Sequence, residues 1–268
     1  MGDEIKTITA DDGIEIAYRE HLPEGKDAFP CLLFVHGSTC HGGAYGTVGP
    51  DLAREGIGTY MMDLRGHGLS GGPRGDVPVP IMLMKDIERL LDTIRGPHCS
   101  KLFLGGHSAG GGIATKYYAE HKENIDGLVL LAPFFSRKAP QNNRDDSSDA
   151  VSMSKAKFLL AMLNPSIRFM HFHIADDEDE LSVADYSLNW TRAAQLSDYR
   201  GGMQAVDLPL VWIVGDEDDF VDIDIAREEF EKIPSDDKEF ILREGIGHEM
   251  VTEESVPQMA TWISKHSA

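Results

Sequence analysis

A serine between two glycines carries the first chemical signal in this chain. Gly106-His107-Ser108-Ala109-Gly110 follows the apolar run Leu102-Phe103-Leu104, and a helix-like run, Ile113 to Tyr118, comes next. Strand, sharp turn and helix around Gly-x-Ser-x-Gly is the arrangement that lifts a serine hydroxyl above a sheet edge. Such a turn forces the serine into unfavourable backbone angles, and its glycines sit where any side chain would strike a neighbouring element. The positive end of the following helix faces the hydroxyl. A serine hydroxyl is a poor nucleophile at neutral pH. It needs a base to accept its proton and a third group to orient that base.

Candidates for both stand later in the chain, in the order Ser, acid, His that this turn type calls for. Asp216, Asp218 and Asp219 follow the apolar run Leu210 to Val214, and His248 follows Glu239 to Leu242. Asp218 is the expected acid, because the other two fit loop capping or solvation. Acyl transfer also needs amide donors for an oxyanion. The residue after the nucleophile supplies one, Ala109, and the residue after His36-Gly37 supplies the other, Ser38. His36, His67 and His107 lie inside glycine-containing motifs and are expected to hold loops through their ring nitrogens. No histidine pair has metal spacing with an acidic companion, so neither a metal nor a cofactor is expected.

The elements needed to place these groups are legible as an alternation. Ile5 to Thr9 and Ile14 to Arg19 read as a hairpin about Asp11-Asp12-Gly13. Cys31 to Val35, Gly58 to Met62, Gly127 to Leu131 and Leu210 to Val214 are continuous apolar runs, as in strands buried on both faces. Helical stretches are read at Tyr45 to Glu55, Val79 to Ile94, Asp222 to Ile233 and Glu253 to Lys265. Strand alternating with helix implies a mostly parallel, doubly wound α/β sheet of about eight strands. Ligands of such sheets bind beyond the carboxyl ends of the strands. His36-Gly37, Asp63, Ser108 and Pro133 all follow strand ends and share that edge.

The alternation stops after Phe135 and resumes at Leu208. Residues 1–135 and 208–268 therefore read as two parts of one core, with 136–207 inserted after the sixth strand as a helical cap. Within it Ser136 to Ala150 reads as a loop, Phe158 to Leu163, Ile167 to Ile174 and Leu181 to Leu196 as helices, and Asp176 to Glu180 as a solvated acidic run. One face of the apolar set Phe158, Leu159, Leu160, Met162, Leu163, Phe169, Met170 and Phe172 is expected to pack on the core, the rest lining a channel over Ser108 for an acyl chain.

Composition excludes some partners. The chain has 268 residues, of which 41% are hydrophobic, enough for a large core. Its net charge of −20 argues against nucleic acid and anionic membrane surfaces. No apolar run resembles a signal peptide or reaches the length of a transmembrane helix. Cys31, Cys40 and Cys99 have no CxxC spacing and are odd in number, which fits reduced thiols and a cytoplasmic location. The oligomeric state is not readable.

His36-Gly37-Ser38, Asp63-Leu64-Arg65-Gly66-His67-Gly68-Leu69-Ser70, Gly106-His107-Ser108-Ala109-Gly110, Gly215-x-x-Asp218-x-x-Val221 and Gly247-His248 together resemble the α/β-hydrolase superfamily. Gly66 to Gly75 looks like the monoacylglycerol lipase and lysophospholipase branch, grouped with serine aminopeptidases. The resemblance implies a serine hydrolase with a helical cap, acting on small-molecule esters with an acyl chain. It puts the nucleophile on Ser108, the acid on Asp218, the base on His248 and the oxyanion amides on Ser38 and Ala109. The sequence departs from the monoacylglycerol lipases at Thr39-Cys40-His41-Gly42-Gly43, where they carry an acidic, histidine-containing stretch. Two alternatives stay open. One is amide cleavage, as in proline iminopeptidases. The other is a non-catalytic binding protein on the same fold, although such proteins usually lack a triad member.

Overall fold

A computed structural model describes residues 4–122, 125–135, 151–173, 179–249 and 251–267. Eleven strands lie among them: β1 (Ile5–Thr9), β2 (Glu15–His21), β3 (Phe29–Val35), β4 (Gly58–Met62), β5 (Cys99–His107), β6 (Gly127–Leu131), β7 (Val151–Met153), β8 (Arg168–Phe172), β9 (Asp185–Ser187), β10 (Leu210–Gly215) and β11 (Lys238–Arg243). The helices are α1 (Val48–Arg54), α2 (Ile81–Ile94), α3 (Ala109–His121), α4 (Lys155–Ala161), α5 (Leu188–Ala194), α6 (Tyr199–Gln204), α7 (Ile223–Glu231), α8 (Val251–Glu254) and α9 (Val256–Lys265).

Eight strands form one sheet in the order β1-β2-β4-β3-β5-β6-β10-β11. The β1-β2 and β2-β4 pairs are antiparallel, and every other neighbouring pair is parallel. The central strands are apolar without a break because helices cover both faces. Leu32, Leu33, Phe34, Leu104 and Val129 are wholly buried. The β1-β2 turn closes through Gly13, whose φ of 83° suits glycine. Helix α7 starts where Asp222 accepts a hydrogen bond from the Ile225 amide at 3.1 Å, an N-cap that fixes its entry.

The insert between β6 and β10 differs from the sequence reading. The stretch expected as a helix over Ile167 to Ile174 contains strand β8, paired antiparallel with β7 and β9 in a separate three-stranded sheet. A register shift between Arg168 and Met170 breaks the two-residue alternation that would have announced a strand. Leu181 to Leu196, expected as one helix, is β9 followed by α5. Ser187 ends the strand and caps the helix, its hydroxyl accepting from the Trp190 amide at 3.1 Å. The loop expected over Ser136 to Ala150 lies outside the described residues, as does most of the acidic run at Asp176 to Glu180.

Helix α4 turns out differently from the apolar face expected on the core. Leu159, Met162 and Leu163 are 68%, 59% and 87% exposed, and only Ala161 of α4 is buried. The helix rests on β8 through Phe158 and Phe169, whose rings are 5.1 Å apart, and three short strands offer too little surface to cover the rest.

The small sheet reaches the carboxyl edge of the large one. The Val183 amide donates to the Thr39 carbonyl at 2.9 Å and the Ser187 amide to the Gly75 carbonyl at 3.1 Å. The Arg168 guanidinium donates to the Arg74 carbonyl at 2.7 Å.

Candidate active site

Ser108 joins the end of β5 to the start of α3, with φ 52° and ψ −120°. A non-glycine residue holds such angles only where its surroundings over-determine them. Here the Ser108 amide donates to the Leu131 carbonyl at 2.9 Å, and the Ser108 carbonyl accepts from Phe134 at 2.8 Å and Gly112 at 3.2 Å. Strand β3 runs parallel beside β5, with Val35 opposite Gly106. A Cβ on Gly106 would lie 2.4 Å from the Val35 carbonyl oxygen, and one on Gly110 only 2.0 Å from it. Both positions therefore admit only glycine, and the turn that presents Ser108 depends on them.

Asp218 follows β10 and His248 follows β11, and the two meet. His248 Nδ1 lies 2.8 Å from Asp218 Oδ2. A carboxylate only accepts, so Nδ1 carries the proton and Nε2 is left as the acceptor nitrogen. The other carboxylate oxygen, Oδ1, accepts from the Phe220 and Val221 amides, each at 2.8 Å, which fixes the acid in its loop. Both side chains are buried. Burial pulls the His248 pKa down, but the Asp218 hydrogen bond and the negative charges of Asp218, Glu249 and Asp219 outweigh it, leaving the pKa above the usual histidine value. Asp216 is exposed and accepts from the Gly245 amide at 2.7 Å; Asp219 is exposed too. The Ser108 and His248 loops are tied together by His107, whose Nε2 donates to the His248 carbonyl at 3.0 Å.

The loop after β3 lies against the serine turn. A Cβ on Gly37 would meet Ser108 Cβ at 3.2 Å. Ser38 and Ala109 thus flank Ser108, one on this loop and one in the first turn of α3, where amides lack a helical acceptor. Neither amide donates to a described acceptor. His41, in the stretch that departs from the monoacylglycerol lipases, accepts from the Gly43 amide at 3.1 Å and bonds Asp179 at 2.9 Å. Among the described residues no group of three His, Cys, Asp or Glu side chains is arranged to hold a metal ion, and no helix is long and apolar enough to cross a membrane. Two residues that sequence reasoning passed over, Tyr45 and Tyr186, receive amides of the Ser38 loop. Both lie in stretches read as helix, and no motif marks them.

Residues 27–255 match the family model described as serine aminopeptidase, S33. The chain belongs to this family. This S33 protein is 26% identical over 276 residues to a monoacylglycerol lipase of Mycolicibacterium smegmatis, covering 95% of this chain and 94% of that one. It is 25% identical to an uncharacterised abhydrolase domain-containing protein of Dictyostelium discoideum, covering 98% of this chain but 29% of that protein's length. In fold it is similar to a soluble variant of the monoglyceride lipase of Saccharomyces cerevisiae, solved with a substrate analogue. The TM-score is 0.79 at 21% identity, over 99% of this chain and 96% of that one. The S33 chain is an α/β-hydrolase of the monoacylglycerol lipase branch.

Proposed function

We propose that the protein is a serine hydrolase that cleaves carboxylic esters bearing an acyl chain, monoacylglycerol-like or lysophospholipid-like, through an acyl-enzyme. The observation that carries this reading is the buried 2.8 Å bond from His248 to Asp218 on the same sheet edge as the strained Ser108. Asp218 holds His248 with Nδ1 protonated, so Nε2 accepts the Ser108 proton as Oγ attacks the ester carbonyl carbon. The carbonyl oxygen becomes an oxyanion, met by the Ser38 and Ala109 amides. The intermediate collapses, the bond to the leaving alcohol breaks, and His248 returns the proton to that alcohol. Water then attacks the acyl-serine by the same route, releasing the carboxylic acid and restoring Ser108. The residues 136–207 serve as a cap over this edge, a role supported by the hydrogen bonds from Val183 and Ser187 to its loops.

The relatives named for monoacylglycerol support an acyl ester substrate. The test is a series of p-nitrophenyl esters from acetate to laurate, below their micelle concentrations, with proline p-nitroanilide alongside. Efficiency is expected to rise about threefold or more per added carbon until the pocket is full, since a buried methylene is worth about 0.8 kcal/mol. A strict preference for acetate overturns the acyl-chain reading. Cleavage of the anilide in preference to every ester favours the amide alternative instead.

A further inference from the structure

Ser38 sits in a run of three peptide planes that are all pinned. The Gly37 amide donates to Tyr45 Oη at 2.7 Å and the Thr39 amide donates to Tyr186 Oη at 2.6 Å. Between them, the Gly37 carbonyl accepts from His36 Nδ1 at 2.7 Å. That carbonyl shares its peptide plane with the Ser38 amide. In a trans peptide the two point opposite ways, so fixing one aims the other.

Behind each tyrosine hydroxyl stands a buried histidine. Tyr45 Oη is 3.2 Å from His107 Nδ1, and Tyr186 Oη is 3.1 Å from His67 Nε2. The far ring nitrogen decides the direction of each bond. His107 Nε2 lies 3.0 Å from the His248 carbonyl, and His67 Nδ1 lies 3.1 Å from the Arg65 carbonyl. A carbonyl only accepts, so those two nitrogens carry the ring protons. Burial holds both rings well below the usual histidine pKa, so each has only that one proton. The near nitrogens must then accept, and both hydroxyls must donate to them. The lone pairs of each hydroxyl are left turned to the loop amide. The chain through Tyr186, from amide to tyrosine to histidine to carbonyl, has a single arrangement of its protons, and the Tyr45 hydroxyl in the other chain also bonds the Cys40 thiol.

The loop needs this hold. Thr39 has φ 69°, the left-handed region that costs a non-glycine residue free energy. Its carbonyl is also taken, by the Val183 amide at 2.9 Å. One tyrosine comes from the 3-10 turn at Gly42–Tyr45, the other from β9 of the insert.

We propose that Tyr45 and Tyr186 are positioning residues for the Ser38 amide, each aligned by a buried histidine, so that the insert helps to build the oxyanion site. This rests on the reading of Ser38 as an oxyanion donor given above. Neither tyrosine touches substrate in this account. Each acts by holding a neighbouring amide so that the donor is in place before the oxyanion forms.

The test compares wild type, Tyr45→Phe and Tyr186→Phe on p-nitrophenyl butyrate, with active sites counted by fluorophosphonate titration. Phenylalanine keeps the ring and removes only the hydroxyl. Each variant is expected to lose about tenfold or more in kcat per active site, because a small misplacement of a catalytic group costs that much. KM is expected to change by less than about twofold, the pattern of a group that acts in the transition state. Inhibition by a trifluoromethyl ketone, which adds to serine and leaves an oxyanion in the site, is expected to weaken by the same factor as kcat/KM. A role in structure alone lowers the thermal midpoint and the number of active sites but leaves kcat per site and ketone affinity at wild-type values. That result overturns the proposal. A wild type that turns over no ester overturns the functional reading as well, and is thereby distinct from failure of the proposal alone. Native-state hydrogen exchange on the wild type gives a reading that no variant's folding can spoil. The Gly37 and Thr39 amides are expected among the slowly exchanging ones, and rapid exchange at both overturns the proposal.

Discussion

His248 is held between two opposing influences. Its burial favours the neutral ring, and the carboxylates around it, Asp218 first, favour the charged one and prevail. A general base works only while neutral. Turnover should therefore fall as pH drops through the His248 titration, with a midpoint above the ordinary histidine value of about 6.5. Asp218→Asn removes the main influence raising that midpoint and leaves only the Glu249 and Asp219 charges to oppose burial. The residual activity of that variant should thus titrate at lower pH than wild type, and its kcat should fall about 10⁴-fold, as loss of the orienting carboxylate does in other triads. Asp216→Asn should stay close to wild type, because Asp216 faces solvent and the Gly245 amide. A pH–rate profile of all three proteins checks the set; an inactive Asp216→Asn would contradict the assignment. Residue types alone leave three aspartates just after β10, and only the loop geometry puts one of them on the histidine. Tyr45 and Tyr186 were not legible at all, since a tyrosine hydroxyl that receives an amide from a distant loop leaves no periodic or motif signal.

The elements around Ser108 meet at glycines. Gly110→Ala should destabilise the protein by about 3 kcal/mol or more, because its methyl group would overlap the rigid Val35 carbonyl rather than a movable side chain. Gly13→Ala is the control, since nothing lies within 4 Å of the Cβ it would gain. It should cost only about 1–2 kcal/mol for its left-handed φ. Urea denaturation measures both, and equal losses would contradict the account of the turn. The same packing explains what was readable beforehand. Strands β3, β4, β6 and β10 are covered on both faces, so burial wrote them as unbroken apolar runs. Strand β8 has neither an apolar run nor clean alternation, because its bulge shifts the register beside Phe169. Its aromatic and basic residues suit a helix as well as a strand, and only pairing to β7 and β9 decides. Likewise α4 carries an apolar run that its small neighbouring sheet does not cover, so hydrophobicity there did not mean burial.

Across the whole molecule the net charge of −20 sets a negative field in which the active edge must work. Such a field lowers the local concentration of anionic substrates and leaves neutral ones unaffected. For a pair of acyl esters that differ only in a carboxylate on the leaving group, kcat/KM for the anionic member should start lower and rise with salt as screening shortens the field. The neutral member should stay flat, and equal salt responses would contradict a role for the field. The claim on which everything else rests is that Ser108 is the nucleophile. Its most direct test is labelling of the native protein with a fluorophosphonate, followed by mapping of the modified peptide by mass spectrometry. A single adduct on Ser108 is expected, with labelling and ester turnover both lost in a folded Ser108→Ala protein. An adduct on another serine, or turnover that survives in Ser108→Ala, would contradict it.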